Sequence, residues 1–134
     1  MTLLADLIPQ LRTKEFRQAY VSEGLVLYLA AQIKKLRKNK GWSRKHLASL
    51  VPLSSQQITD IENLEDGVGY LTIDTLLSLA DVFDIALDIR FVSFSTLVEQ
   101  WDGTVFQNPP PINFHSDLPR LETLASLQKK REHK

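Results

Sequence analysis

Gly41-Trp-Ser-Arg-Lys-His-Leu-Ala-Ser-Leu-Val51, continued by Pro52-Leu-Ser-Ser-Gln-Gln-Ile-Thr-Asp-Ile-Glu-Asn63, decides how this chain is read. Two short amphipathic segments meet at a break too tight for a flexible loop. The first opens with Ser43, a good N-cap, and is expected to bury Leu47, Ala48 and Leu50. The second opens with Ser54 or Ser55 and carries Ile58 and Ile61 on one face. Its other side shows a polar row: Ser55, Gln56, Thr59, Asp60 and Asn63. Two helices joined by about four residues cross steeply, which projects the second outward. A helix exposing Ser, Gln and Thr is chemically suited to the base edges of a DNA groove.

Outward from this stretch, the preceding segment has the clearest period. With Ser22 as its candidate N-cap, Leu25, Leu29, Ile33 and Leu36 recur at four- and three-residue steps, and Gly41 is a good C-terminal stop. Before it, Pro9 should interrupt any helix begun earlier, and a separate helix is expected over Thr13 to Val21, with Phe16, Ala19 and Tyr20 on one stripe. Trp42 reads either as a packing residue or as one whose ring edge also touches a sugar-phosphate backbone. After the polar row, Gly67 and Gly69 let the chain turn without forming a phosphate-binding fingerprint. Thr72 caps a further helix with Ile73, Leu76, Leu77, Ala80 and Phe83 as its apolar face.

Beyond Asp84 the period changes to two. Ile85, Leu87, Ile89 and Phe91 alternate with Ala86, Asp88 and Arg90, the pattern of a half-buried strand. A lone strand leaves backbone groups unpaired. The same strand of a second copy would satisfy them; pairing with the N-terminal residues, or a short extended tail, are the alternatives. Gly103, Pro109, Pro110 and Pro111 mark a linker. Leu118, Leu121, Leu124 and Leu127 then recur every three residues. They fit a short docking helix or a disordered tail, the tail being favoured because the segment is short and isolated. The expected fold is mainly α: a compact four- to five-helix bundle containing a helix-turn-helix within residues 1–100, followed by one C-terminal β-strand paired across a dimer. Residues 101–134 form a Pro-containing linker and tail.

With 134 residues, 43% of them apolar, there is chain for one core. No cysteine is present, so disulfides and zinc–thiolate sites are excluded. The start lacks a signal-peptide pattern and no apolar run approaches the ~20 residues of a membrane span, so a cytoplasmic location is expected. Net charge is zero, yet its distribution is strongly uneven. From Gly24 to Thr59 there are Lys34, Lys35, Arg37, Lys38, Lys40, Arg44 and Lys45 and no acid; from Asp60 to Asp102 ten acids face Arg90 alone. Phosphate binding depends on local potential, so the basic lobe beside the polar row points to nucleic acid. The bland reading is a solvated basic face with a salt-bridged acidic half.

Leu36-Arg37, Gly41-Trp42-Ser43, Leu47-Ala48, Leu53-Ser54, Ile58, Ile61-Glu62-Asn63, Thr72, Leu76 and Leu79-Ala80 together resemble the lambda-repressor-like, Cro/C1-type (XRE) helix-turn-helix family. The stretch from Phe83 to Phe94 resembles a prophage-associated and mobile-element branch in which the helical domain ends in a strand. The resemblance implies sequence-specific binding to double-stranded DNA as a homodimer, usually in repression; some relatives are antitoxins that also bind a toxin. By position it implies that Ser54, Ser55 and Gln56 meet bases or flanking phosphates, with Thr59 and Asp60 one turn further on. Arg44 would contact phosphate and Asn63 would lie near the backbone. Lys38, Lys40 and Lys45 of the basic lobe are further phosphate candidates. Two departures stand out. Pro52 occupies the turn position where the family usually has Gly, so the turn must be built differently. Asp60 on the reading face repels phosphate but can accept from cytosine N4.

The leading expectation is a DNA-binding regulator, a repressor on a palindromic operator. The alternative is an antitoxin-like or other interaction module whose partner is a toxin or regulator protein, supported by the acidic half and the leucine-bearing tail. Catalysis has little support: His46, His115 and His133 are scattered without metal-ligand spacing, and no nucleophile–base constellation is legible. No cofactor is expected.

Overall fold

In a computed structural model that describes residues 4–101 and 110–132, the chain is helical. Its helices are α1 (Leu4–Leu11), α2 (Lys14–Asn39), α3 (Arg44–Ala48), α4 (Ser55–Glu62), a 3-10 turn (Gly67–Tyr70), α5 (Ile73–Phe83), α6 (Phe94–Trp101) and α7 (Phe114–Glu132). No helix among the described residues is long and apolar enough to cross a membrane. The linker residues Gly103 and Pro109, and His133, lie outside the described residues.

Two N-terminal expectations change. Pro9 lies inside α1, which ends only two residues later. A proline forfeits one backbone bond, and the turn after it is closed by Arg12 and Thr13 donating to the Pro9 and Gln10 carbonyls. The Arg17 guanidinium also binds the Leu11 and Arg12 carbonyls, at 2.9 and 3.1 Å. The helix expected to end at Val21 instead continues through Ser22 and Gly24 as one 26-residue α2. Ser22 is therefore no cap; its hydroxyl donates back to the Ala19 carbonyl within the helix.

The C-terminal half of α2, with α3, α4 and α5, encloses the core. Ala30 and Ile33 meet Leu47, Val51, Leu53, Ile58, Ile61, Leu79 and Phe83 there. Phe83, Leu47 and Ile58 are its largest fully buried side chains. α2 stops in a complete Schellman motif: Trp42 N–H binds the Arg37 carbonyl, Gly41 N–H binds the Lys38 carbonyl, and Gly41 sits at φ +70°. α5 ends on Asp84, also left-handed at φ 54°, with Ile85 N–H returning to the Ala80 carbonyl.

The buried stripe of α5 is rotated from the expected one. Thr75, Leu79, Ala80 and Phe83 are buried, whereas Ile73 is 62% and Leu77 52% exposed. A helix this rich in leucine offers two overlapping apolar stripes, and the fit to Leu47 and Ile58 selects one. Leu50 is likewise outside, 45% exposed, because α3 ends at Ala48 and the chain turns away. Gly67 has a different role from turning. A Cβ there would lie 2.5 Å from the Ile61 backbone nitrogen, so its need is close approach to α4, while Leu64 and Asp66 take the left-handed conformations.

Within the described residues of the single chain, the expected C-terminal β-strand is not formed. Residues 85–92 are extended, but no strand is assigned among the described residues, because these supply no second extended segment to pair with it. Ile85 and Leu87 face the helices; Ile89 is 60% exposed and Phe91 fully so. Next comes α6, unforeseen in the sequence. Its Trp101 ring lies between Tyr20 and Tyr28 of α2, with centroids at 5.5 and 6.4 Å. Gly24 is the slot beneath it, since a Cβ at that position would overlap the ring. The leucine-bearing tail is helical rather than disordered: α7 runs 19 residues with no buried residue. Its start is tied to the bundle by Phe114 N–H donating to the Asp84 carbonyl, at 3.1 Å.

Candidate nucleic-acid interface

Local chemistry shapes the exposed motif from both ends. Ser43 Oγ accepts from His46 N–H and starts α3. Ser54, not Ser55, caps α4 through a capping box: its hydroxyl accepts from Gln57 N–H at 3.0 Å, and Gln57 Oε1 accepts from Ser54 N–H at 2.9 Å. At each helix start one first-turn N–H is thus met by the cap side chain. Between them, Leu53 N–H donates to the Val51 carbonyl at 2.8 Å, a three-residue turn centred on Pro52. No residue of this turn has positive φ. The proline has therefore replaced the left-handed turn by one that its fixed φ near −65° accommodates.

α4 buries Ile58, Ile61 and Glu62 and turns Ser55, Gln56 and Asn63 to solvent, with Thr59 and Asp60 half-buried beside them. The polar row is thus assembled on one side. Its members are partly committed. Gln56 Nε2 donates to Asp60 Oδ1 at 2.9 Å, and Thr59 donates its hydroxyl to the Ser55 carbonyl at 3.0 Å, leaving its oxygen as an acceptor. Asn63 is the C-cap residue of the helix.

The basic residues separate into two groups. Lys38, Lys40 and Lys45 are exposed. Lys40 Nζ stands 5.9 Å from the Trp42 ring centroid, and Trp42 itself stacks on Phe83 at 5.6 Å with His46 edge-on at 5.1 Å. Trp42 is therefore a packing residue, half-buried against the core. Arg37 and Arg44 belong to a different arrangement. Arg37 Nε and Nη2 form a bidentate pair with Glu62 at 2.7 and 2.8 Å, and its Nη1 donates to the Trp42 carbonyl at 2.8 Å. Arg44 Nε adds a third contact to Glu62 Oε1 at 3.3 Å.

This cluster locks α2, α3 and α4 to one another. Both Arg37 and Glu62 are buried. Burial opposes the Glu62 charge, but the Arg37 hydrogen bonds and charge, assisted by Arg44, outweigh it and hold the carboxyl below the usual range. The hydrogen bond to Glu62 raises Arg37, against desolvation. Arg44, expected from the sequence at phosphate, is thus anchored to Glu62 through its Nε. The cluster went unread in the sequence, yet a signal exists. Glu62 follows Ile58 by four residues and Arg37 follows Ile33 by four, so each charge stands on an apolar stripe and needs a partner.

No group of His, Cys, Asp and Glu among the described residues is arranged to hold a metal ion. His46 is exposed against Trp42, and His115 lies edge-on to Phe114 at the start of α7. Residues 33–89 match the helix-turn-helix family model, a match that supports the Cro/C1-type family and a DNA-binding domain of transcription regulation. No curated protein and no solved structure gives a significant match.

Proposed function

From a chain whose residues 33–89 are a DNA-binding helix-turn-helix domain, we propose a sequence-specific repressor that acts as a homodimer on a palindromic operator. The observation that carries this reading is α4: tied at its start by a capping box and at its end by Glu62, it exposes Ser55, Gln56 and Asn63, and Lys38, Lys40 and Lys45 of the preceding elements are exposed as well. Lysines and Arg44 would neutralise phosphates and set affinity; Ser54, Ser55, Gln56, Thr59 and Asp60 would select bases, with Asn63 near the backbone. In this reading the acids beyond Asp60 keep the opposite half of the molecule away from the duplex.

The dimer is supported by the surface around the unpaired extended segment. Ile89, Phe91, Val92 and Phe94 are exposed there, next to Leu25 of α2, a surface too apolar to be left in water without a partner. Antiparallel pairing of residues 85–92 across a two-fold axis would satisfy backbone groups that no described strand meets. The two α4 helices would then stand ~34 Å apart on one face of the duplex.

Selection of bound duplexes from a random pool tests the proposal: two inverted half-sites one helical turn apart are expected. Affinity should fall steeply with salt, since about four neutralised phosphates per protomer release their counterions. A flat salt response would rule out the mechanism. Phe91→Asp should give a monomer by sedimentation and weaken operator binding while the bundle stays folded.

A further inference from the structure

Two residues of the reading face do not act separately. Gln56 is exposed in the first turn of α4 and Asp60 follows one turn later, half-buried. Gln56 Nε2 donates to Asp60 Oδ1 at 2.9 Å. A carboxylate only accepts, so the nitrogen of the amide must face it. The alternative amide orientation would set Gln56 Oε1 against the Asp60 carboxylate, two acceptors with no hydrogen between them. The amide of Gln56 is thereby held in one of its two orientations before any ligand arrives.

We infer that Gln56 and Asp60 form a single base-reading unit, pre-set for adenine and set against guanine at one position of each half-site. This inference rests on the DNA-reading function proposed above and specifies what that face recognises. The amide nitrogen has two hydrogens, and Asp60 takes one. The second hydrogen and Oε1 remain, a donor and an acceptor side by side. Adenine presents the complement in the major groove: N6 donates and N7 accepts. Guanine presents two acceptors, O6 and N7, which call for two donors. The amide could supply two only by turning both of its hydrogens to the base, which spends the one held by Asp60. The charge of Asp60 itself adds repulsion toward O6. Cytosine satisfies only Oε1, through N4, and thymine only the N–H, through O4. Asp60 also reaches its place for a local reason. Residues four apart on a helix are neighbours, and a Gln-to-Asp hydrogen bond at that spacing is self-supporting.

Duplex selection with the full chain and its variants provides the test. Wild type should enrich adenine at one position per half-site and bind a guanine substitution there at least about tenfold more weakly, the scale of one bidentate base contact. Asp60→Ala should broaden that position to admit guanine, read as the ratio of affinities for the adenine and guanine duplexes. Asp60→Asn, which offers Gln56 either a donor or an acceptor, should broaden it similarly. Gln56→Ala should flatten the position, and adding Asp60→Ala to it should change selectivity no further. Asp60 is on the surface side of α4, and circular dichroism of each variant confirms that the bundle is retained. Adenine preference surviving in Asp60→Ala would overturn the unit while leaving the DNA-reading function standing. Enrichment of cytosine or guanine by the wild type would overturn the adenine assignment. A folded wild type that enriches no sequence would overturn the function and the unit together.

Discussion

The bundle from Ile33 to Phe83 and the segment from Ile85 to Glu132 are built from similar shares of leucine, isoleucine and phenylalanine, yet they use them oppositely. In the first, the large buried side chains of α2, α3, α4 and α5 form one cluster, and the two charges on its apolar stripes find each other. In the second, Ile89, Phe91, Phe94, Leu121, Leu124 and Leu127 are exposed, and α6 and α7 contain no buried residue. The difference teaches that amphipathic pattern is necessary for a core but does not make one. A stripe is buried only when a second stripe is delivered to it, and the tight turns at Gly41 and Pro52 deliver α3 and α4 to α2 in that way. The described C-terminal elements meet the rest through the Trp101 ring on α2 and the Phe114–Asp84 backbone hydrogen bond.

The sharpest way to break the first region is through Glu62. Glu62→Ala leaves Arg37 buried without its partner and should cost about 3–5 kcal/mol, measured by urea unfolding. Glu62→Gln should remove the ion pair's dependence on pH. The carboxyl is held below its usual range, so its contribution is complete above the unfolded value of about 4.3 and is lost as pH falls through the lower folded value. The stability gap between wild type and Glu62→Gln should therefore be widest at neutral pH and close on acidification.

Leucine truncations compare the regions directly. Leu47→Ala, at a fully buried site, should cost about 2–5 kcal/mol, whereas Leu124→Ala, on the open face of α7, should stay within about 0.5 kcal/mol in the isolated protomer. A large effect at Leu124 would mean that α7 is covered by a partner under the conditions of measurement. At the junction, Gly24→Ala forces the Trp101 ring off α2. Its cost should be about 1–3 kcal/mol, the range of overpacking, with a red shift of Trp101 emission read against a Trp101→Phe control. The smallest effect is a gain. Asp84→Gly relieves a left-handed aspartate at the C-terminus of α5 and removes an acid from the negative end of its dipole, raising stability by roughly 0.5–1 kcal/mol.

Much of the bundle was legible because its signals are local. Ser43, Ser54 and Thr72 announce helix starts, Gly41 announces a stop, and Leu47, Ile58 and Ile61 follow a helical period that the structure buries. The polar row of α4 was legible for the same reason, since a helix with one apolar face must turn the other outward. The sequence by itself therefore determined where α3, α4 and α5 begin, where α2 stops, and which side of α4 is apolar.

Only tertiary structure decided the rest. It chose the Thr75–Leu79–Phe83 stripe of α5 over Ile73 and Leu77, set Trp101 on Gly24, and left residues 85–92 extended without a strand partner. It also made Glu62 the anchor that ties α4 to α2 and α3, and it set the Gln56 amide against Asp60. Caps, stops and periods act between residues a turn apart, which the order of the chain already places together. Ring slots, ion-pair geometry and strand pairing act between residues that meet only once the chain has folded, or once a second copy has arrived.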